Sequence, residues 1–288
     1  MLNELTRRRF LEGTAGAGVA ASAAMSARAA TSAKVIDCHA HFATRNTPNA
    51  PDNDRLLVEA ADKLGIDLLC CSLLTASRPA TADQFRECNR NAAEAVKRFP
   101  GRVLAYAYVN PGYTKEAVED IRRCVEDRGF MGVKVYNEYF CTEPVFYPIV
   151  ETAIALKVPI LFHAGHMHYY NEQQPRISDG GHIAELAARY PEAMLICGHV
   201  CGGGDWEWTI KALRNAPSVY LDTSGSVIDE GTVEMCVDVL GADRVLFGCD
   251  MSMTAGVGKV RAAALRPEDR AKILGGNMAK ILAKRGSR

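Results

Sequence analysis

Seven histidines occur in the 288 residues, and four of them stand where chemistry is expected. His39 and His41 lie in Ile36-Asp37-Cys38-His39-Ala40-His41-Phe42, His163 ends Ile160-Leu161-Phe162-His163, and His199 ends Cys197-Gly198-His199. A carboxylate ends one more apolar run, Phe247-Gly248-Cys249-Asp250. Imidazole and carboxylate side chains suit a divalent cation: Zn2+, and also Fe2+ or Mn2+. Asp37, His39 and His41 are spaced i, i+2, i+4, so on a regular strand they share one face. Two imidazoles stacked along an inward face are costly to bury alone, and a metal is a natural partner. A hydrogen-bonded pair of core histidines is the competing reading.

These residues have to be carried to one place. Apolar β-rich runs cover 35–42, 67–74, 103–110, 132–137, 159–165, 193–200, 219–225 and 245–252. Helical patterns fill the intervals, among them 82–99, 115–127, 145–156, 182–190 and 232–240. The runs start every 26 to 36 residues, the length of one βα unit. Such alternation implies a parallel sheet covered on both faces. Eight units predict an α/β protein, a single-domain (β/α)8 barrel of the TIM type over residues 30–288. An open doubly wound sheet would place a Gly-rich turn after the first strand, where His41-Phe42-Ala43-Thr44 stands instead. Gly202-Gly203-Gly204 lacks a following Lys-Ser or Lys-Thr, so it is no P-loop and reads as a loop near the barrel mouth. Residues 267–284 read as a helix with Pro near its start, packed outside the barrel. Barrel chemistry sits at the C-terminal strand ends, where the four histidines and Asp250 fall.

The first 29 residues differ from the rest. Arg7-Arg8-Arg9-Phe10-Leu11 precedes an Ala/Gly-rich, weakly apolar run, and Ala27-Arg28-Ala29 offers a small-residue cleavage site. This is the layout of an export signal. The arginines followed by Phe-Leu resemble a twin-arginine (Tat) signal read by the Tat export machinery. The apolar run falls short of the roughly 20 residues that span a bilayer. The mature chain is therefore expected in the periplasm or outside the cell, with no membrane span. Folding before export hints at a cofactor inserted in the cytoplasm.

Composition narrows the partners. The chain carries 34 basic and 34 acidic residues, with 48% hydrophobic and 24% charged residues, so neither disorder nor a nucleic-acid partner is supported. Ten cysteines without a C-x-x-C pair exclude zinc ribbons and thioredoxin-like motifs. Those inside apolar runs are expected to act as small apolar residues, with few or no disulfides.

The sequence resembles the amidohydrolase superfamily, in its amidohydrolase-related (amidohydrolase 2) branch of metal-dependent hydrolases and decarboxylases. The resemblance rests on residues 36–42, Gly132-Val133-Lys134, Phe162-His163, Gly198-His199, Phe247-Gly248-Cys249-Asp250 and Ile273-Leu274-Gly275-Gly276-Asn277-Met278-Ala279, in that order. It implies one divalent metal, Zn2+ before Mn2+ or Fe2+, on His39, His41, His163 and Asp250. His199 would orient or deprotonate the metal-activated water, and Asp250 would pass the proton to the leaving group. Asp37 would fix an imidazole tautomer rather than bind the ion.

Some relatives carry a carbamylated lysine at the position of Lys134, which bridges two metals. A second ion on His163 and His199 is expected only in that case. The alternatives are an ammonium holding a substrate oxygen and a lysine paired with an Asp, and one metal with an uncarbamylated Lys134 is the expected arrangement. Tyr136, on the face of Lys134, and His166, in the loop after the fifth strand, are expected to meet a small-molecule substrate. The leading expectation is hydrolysis of an amide, lactone or ester. The alternative is non-oxidative decarboxylation of an aromatic or unsaturated acid, with Asp250 protonating carbon. A third reading is an exported binding protein without turnover. A homodimer is compatible with this type of barrel.

Overall fold

The repeated βα spacing folds into a ring of eight parallel strands. A computed structural model describes residues 34–285, apart from 44–48, 76, 167–171, 173, 201, 203 and 226. The leader expected over residues 1–29 lies outside the described residues, as do His168, Tyr169 and Tyr170.

The strands are β1 (Ile36–His41), β2 (Leu68–Ser72), β3 (Val103–Tyr108), β4 (Gly132–Val135), β5 (Ile160–Phe162), β6 (Leu195–Cys197), β7 (Val219–Asp222) and β8 (Val245–Leu246). Each pairs with the next in sequence. Between β8 and β1 the ring is joined by Cys38 N–H to Phe247 O at 2.9 Å and Asp250 N–H to His39 O at 2.6 Å. The helices that follow the strands are α1 (Ala50–Leu64), α2 (Ala82–Arg98), α3 (Thr114–Glu126), α4 (Tyr147–Ala155), α5 (Gly180–Arg189), α6 (Trp206–Ala212), α7 (Thr232–Leu240) and α8 (Met253–Ala262). Then come α9 (Pro267–Ala271), a π-helical turn Lys272–Gly276 and α10 (Asn277–Arg285).

Local chemistry sets where these helices begin. Thr81 caps α2 in a reciprocal pair with Gln84, and Asp179 caps α5 by accepting from Gly181 N and His182 N. On its inner side α2 buries Phe85, Cys88, Ala92 and Ala95, which join the apolar shell between helices and strands. A second, smaller cluster gathers Ile36, Cys38, Cys70, Tyr106, Leu161, Ile196 and Leu246 with Met278 and Ile281 of α10. The last helix therefore covers one end of the barrel, its Met278 and Ile281 meeting the interior cluster rather than the layer between helices and strands. The turn before it approaches β1 closely: a Cβ on Gly275 would stand 1.8 Å from Lys34 O.

β1 departs from strict alternation. Its pairing with β2 shifts between Asp37 and Ala40. Ile36 and Cys38 belong to the interior cluster, whereas Ala40 and Phe42 belong to the outer one. The side-chain phase thus reverses between Cys38 and Ala40, as a bulge requires. His39 and His41 share a face, and Asp37 does not join them.

The nine described cysteines are buried with free thiols. Burial pushes Cys88 up to about 11 and Cys124 up to about 12, so these sulfurs stay protonated and pack as small apolar groups. Among the described residues no helix is long and apolar enough to cross a membrane.

Candidate functional site

His39 and His41 close β1, Lys134 lies in β4, His163 follows β5, His199 follows β6 and Asp250 follows β8. Two of these positions hold unusual backbone. His199 has φ 65° and Asp250 has φ 55°, the left-handed region that side chains other than glycine enter at a cost of about 1–3 kcal/mol each. Neighbouring contacts hold both. His199 N–H donates to Asp222 Oδ1 at 2.9 Å, and Asp250 N–H to His39 O.

Gly198 makes room beside His199: a Cβ there would stand 2.4 Å from Phe162 O and 3.2 Å from His39 Cε1. Gly198→Ala is accordingly expected to destabilise the protein by about 1–3 kcal/mol and to displace His39. A lowered urea midpoint together with weakened metal retention would show both effects.

The side chains converge. His41 Nε2–H donates to Asp250 Oδ1 at 2.9 Å, and His39 Nε2 lies 3.9 Å from the same oxygen. Ser72 Oγ stands 2.9 Å from His41 Nδ1. His163 Nδ1 and His199 Nε2 face each other at 2.9 Å, and His199 Nδ1 is 3.6 Å from Asp250 Oδ2. Lys134 Nζ is 2.8 Å from His39 Nε2. His39 Nδ1 meets Asp222 Oδ2 at 2.7 Å.

Burial, helped by the charge of Lys134, pushes His41 down to about 4 and His199 down to about 3, and holds His163 well below the ordinary imidazole range. These rings are neutral at pH 7 and offer lone pairs. Burial would raise the carboxyls of Asp250 and Asp222, yet the imidazoles around them outweigh it, and both sit below the usual carboxylate range. Lys134 is pushed down to about 8 by burial, with Asp250 and Asp222 limiting the fall.

A divalent cation fits this set. One donor atom each of His39, His199 and Asp250 lies within 4.8 Å of the others, and His41 touches Asp250. His163 Nε2 is buried with no hydrogen-bond partner, an arrangement that costs about 1–3 kcal/mol unless something takes the lone pair.

Beside the cluster lies a cavity of about 660 Å³, whose walls include His41, Arg78, Tyr136, His163, His199 and Asp250. The Tyr136 ring stacks on His163 at 4.0 Å, and the Arg78 guanidinium lies over the same ring at 4.1 Å.

The structure therefore brings together His39, His41, His163, His199 and Asp250, and puts Tyr136 on the cavity wall, as the sequence leads one to expect. It places one donor atom of His199, expected in catalysis when a single metal is bound, in a group with those of His39 and Asp250. It turns Lys134 onto His39, not onto the cavity. It ties His166 to Asp179 at 2.7 Å and sets it against Trp208, outside the residues lining the cavity. Asp37 orients no imidazole: its Oδ1 accepts from His39 N and Cys249 N, because the phase change in β1 turns it away. Asp222 Oδ2 meets the His39 ring instead, at 2.7 Å. A carboxylate ending the apolar run at 219–222 was the available signal for it, the same signal that marks Asp250. Arg78 lies in the loop after β2 and carries no such mark.

A family model described as amidohydrolase matches residues 36–284. The gamma-resorcylate decarboxylase of Polaromonas sp. strain JS666 is 28% identical over an alignment of 283 positions, a match that covers 73% of this chain and 85% of that protein. A dihydroxybenzoic acid decarboxylase from Polaromonas sp. JS666, crystallised with manganese and the inhibitor 2-nitroresorcinol, superposes with a TM-score of 0.66 at 21% identity, covering 87% of this chain and 97% of its own. The 5-carboxyvanillate decarboxylase of Sphingomonas paucimobilis superposes with a TM-score of 0.68 at 17% identity, covering 88% and 99%. At such identities the two superpositions establish a shared fold.

Proposed function

The chain belongs to the amidohydrolase family, and on that premise we propose that it is a metal-dependent, non-oxidative decarboxylase of a small aromatic acid. The carrying observation is the imidazole–carboxylate cluster opening onto a cavity walled by Tyr136 and Arg78. The relatives support decarboxylation over hydrolysis, the reverse of the order the sequence suggests. A relative's manganese likewise favours Mn2+ beside the Zn2+ expected first.

His39, His199 and Asp250, joined by His41 and His163, would hold the ion. When bound, it would supply Lewis-acid character toward substrate oxygens. Arg78 would pair with an anionic ring substituent, and Tyr136, with His163 and Arg78 against its ring, would present its edge to the substrate. Asp250 would deliver a proton to the ring carbon that bears the carboxylate. The C–C electron pair would then return to the ring as CO2 leaves. In the free site Asp250 is ionised, so it would take up a proton from water in the cavity it lines before passing one to the ring. The expected leader would put this reaction outside the cytoplasm.

The test is turnover of hydroxybenzoic acids by Mn2+- or Zn2+-loaded protein in 18O-labelled water. CO2 release with no label in the organic product is expected. Labelled acid from an ester, lactone or amide, with no CO2, would restore hydrolysis.

Arg78→Met is expected to raise KM about 10–100-fold, corresponding to roughly 1.5–3 kcal/mol for a lost charge-assisted hydrogen bond, with little change in kcat. Steady-state kinetics on the substrate found would separate the two.

A further inference from the structure

Among the described residues of the cluster, one carboxylate touches both His39 and His199 without lying among the donor atoms grouped for the ion. Asp222, at the end of β7, is fully buried. Its Oδ2 meets His39 Nδ1 at 2.7 Å. Its Oδ1 accepts from His199 N at 2.9 Å and from Ser224 N at 2.9 Å. We infer that Asp222 is the positioning residue of this centre, fixing the tautomer of His39 while clamping the left-handed backbone of His199. The inference rests on reading the cluster as a metal centre.

The tautomer follows from donor and acceptor identity. A carboxylate only accepts, so the proton of His39 sits on Nδ1. Nε2 then carries the lone pair, which is where Lys134 Nζ donates at 2.8 Å and where an ion would bind. The second half of the role is steric. His199 at φ 65° aims its ring between His163 and Asp250 only while its N–H is held. The same carboxylate holds it, so the two imidazoles keep a common reference. Space for this is made by glycines: a Cβ on Gly248 would stand 3.3 Å from Asp222 Cγ and 3.2 Å from His39 Cβ, and one on Gly198 would stand 3.4 Å from Asp222 Oδ2.

Asp222→Asn separates this role from simple packing, because it preserves shape. Its amide oxygen can still accept from His199 N and Ser224 N, and its NH2 then faces His39 Nδ1. That ring must move its proton to Nε2 and lose the lone pair. The flipped amide would instead set NH2 against two buried N–H donors, a worse arrangement.

The experiment reads the His39 tautomer by two-bond 1H–15N correlation in the metal-free full chain, with His39→Ala assigning the signal, and reads Mn2+ and Zn2+ affinity by competition with a chelating dye. The expected result is an Nδ1–H tautomer in the wild type and Nε2–H in Asp222→Asn. Metal affinity should fall about 10–100-fold with the cooperative melt preserved. Ser224→Ala, whose Oγ stands 3.3 Å from His39 Nδ1, should keep the wild-type tautomer. An Nε2–H tautomer in the wild type overturns the proposal even where Asp222→Asn does not fold. An unchanged tautomer in a folded Asp222→Asn overturns it too, as does affinity within about threefold of wild type. A wild type that binds neither ion defeats the metal reading, whereas the tautomer comparison still judges Asp222 by itself.

Discussion

Asp250→Asn is expected to lower kcat by about 10²–10⁴-fold, the range supplied by a positioned acid or base, while leaving the barrel folded. The substitution is close to isosteric. Asparagine tolerates left-handed backbone about as well as aspartate, so φ 55° at this position adds no new strain. Its amide oxygen can still accept from His41 Nε2–H, now 2.9 Å from Asp250 Oδ1. What disappears is the charge: the acidic group within reach of His41 and His199, and an anionic donor for the ion. Metal content and the thermal melt, measured beside kcat, apportion the effect. Loss of turnover with metal retained assigns Asp250 to proton transfer, and loss of both assigns it to ligation. Turnover within about threefold of wild type would remove Asp250 from the chemistry altogether.

Stripping the metal with a chelator is expected to reduce activity to below about 1%, and Mn2+ or Zn2+ should restore it. The same addition should raise the melting temperature, because an ion that binds only the folded state stabilises it by RT ln(1 + [L]/Kd), about 2.7 kcal/mol at a hundredfold excess over Kd. His39→Ala and His163→Ala should fold but lose both the restoration and the shift in melting temperature. Each variant removes one imidazole donor, and the rings around it favour a cation: with His41 at about 4 and His199 at about 3, they repel it little and compete weakly for protons. A metal-stripped protein with full activity and an unshifted melt would overturn the reading of these residues as a metal centre.

Much of this was legible before any coordinates. Apolar runs at βα spacing specify a parallel barrel, since strands buried on both faces need helices between them. In such a barrel the C-terminal strand ends must converge, so His39, His163, His199 and Asp250 meet although the first and last lie 211 positions apart. That convergence is a property of topology, and topology is written in the repeat.

The tertiary structure decided the rest. Period-2 reasoning assigned Asp37 to the imidazole face, but a register shift within β1 reversed the alternation, and backbone N–H groups claimed its carboxylate. The helix at 277–285 closed on the interior cluster through Met278 and Ile281 because an apolar stripe alone does not say which apolar surface it will meet. Arg78 reached the cavity from a loop with no periodic signal. Lys134, open to three roles in sequence, became a donor to His39. The bond that orders the centre, between His39 and Asp222, joins residues 183 positions apart at 2.7 Å. Residue type and spacing say which groups gather at a strand end. Hydrogen-bond pairing is settled over tenths of an ångström, by bulges, glycine clearances and strained backbone that exist only once the ring has closed.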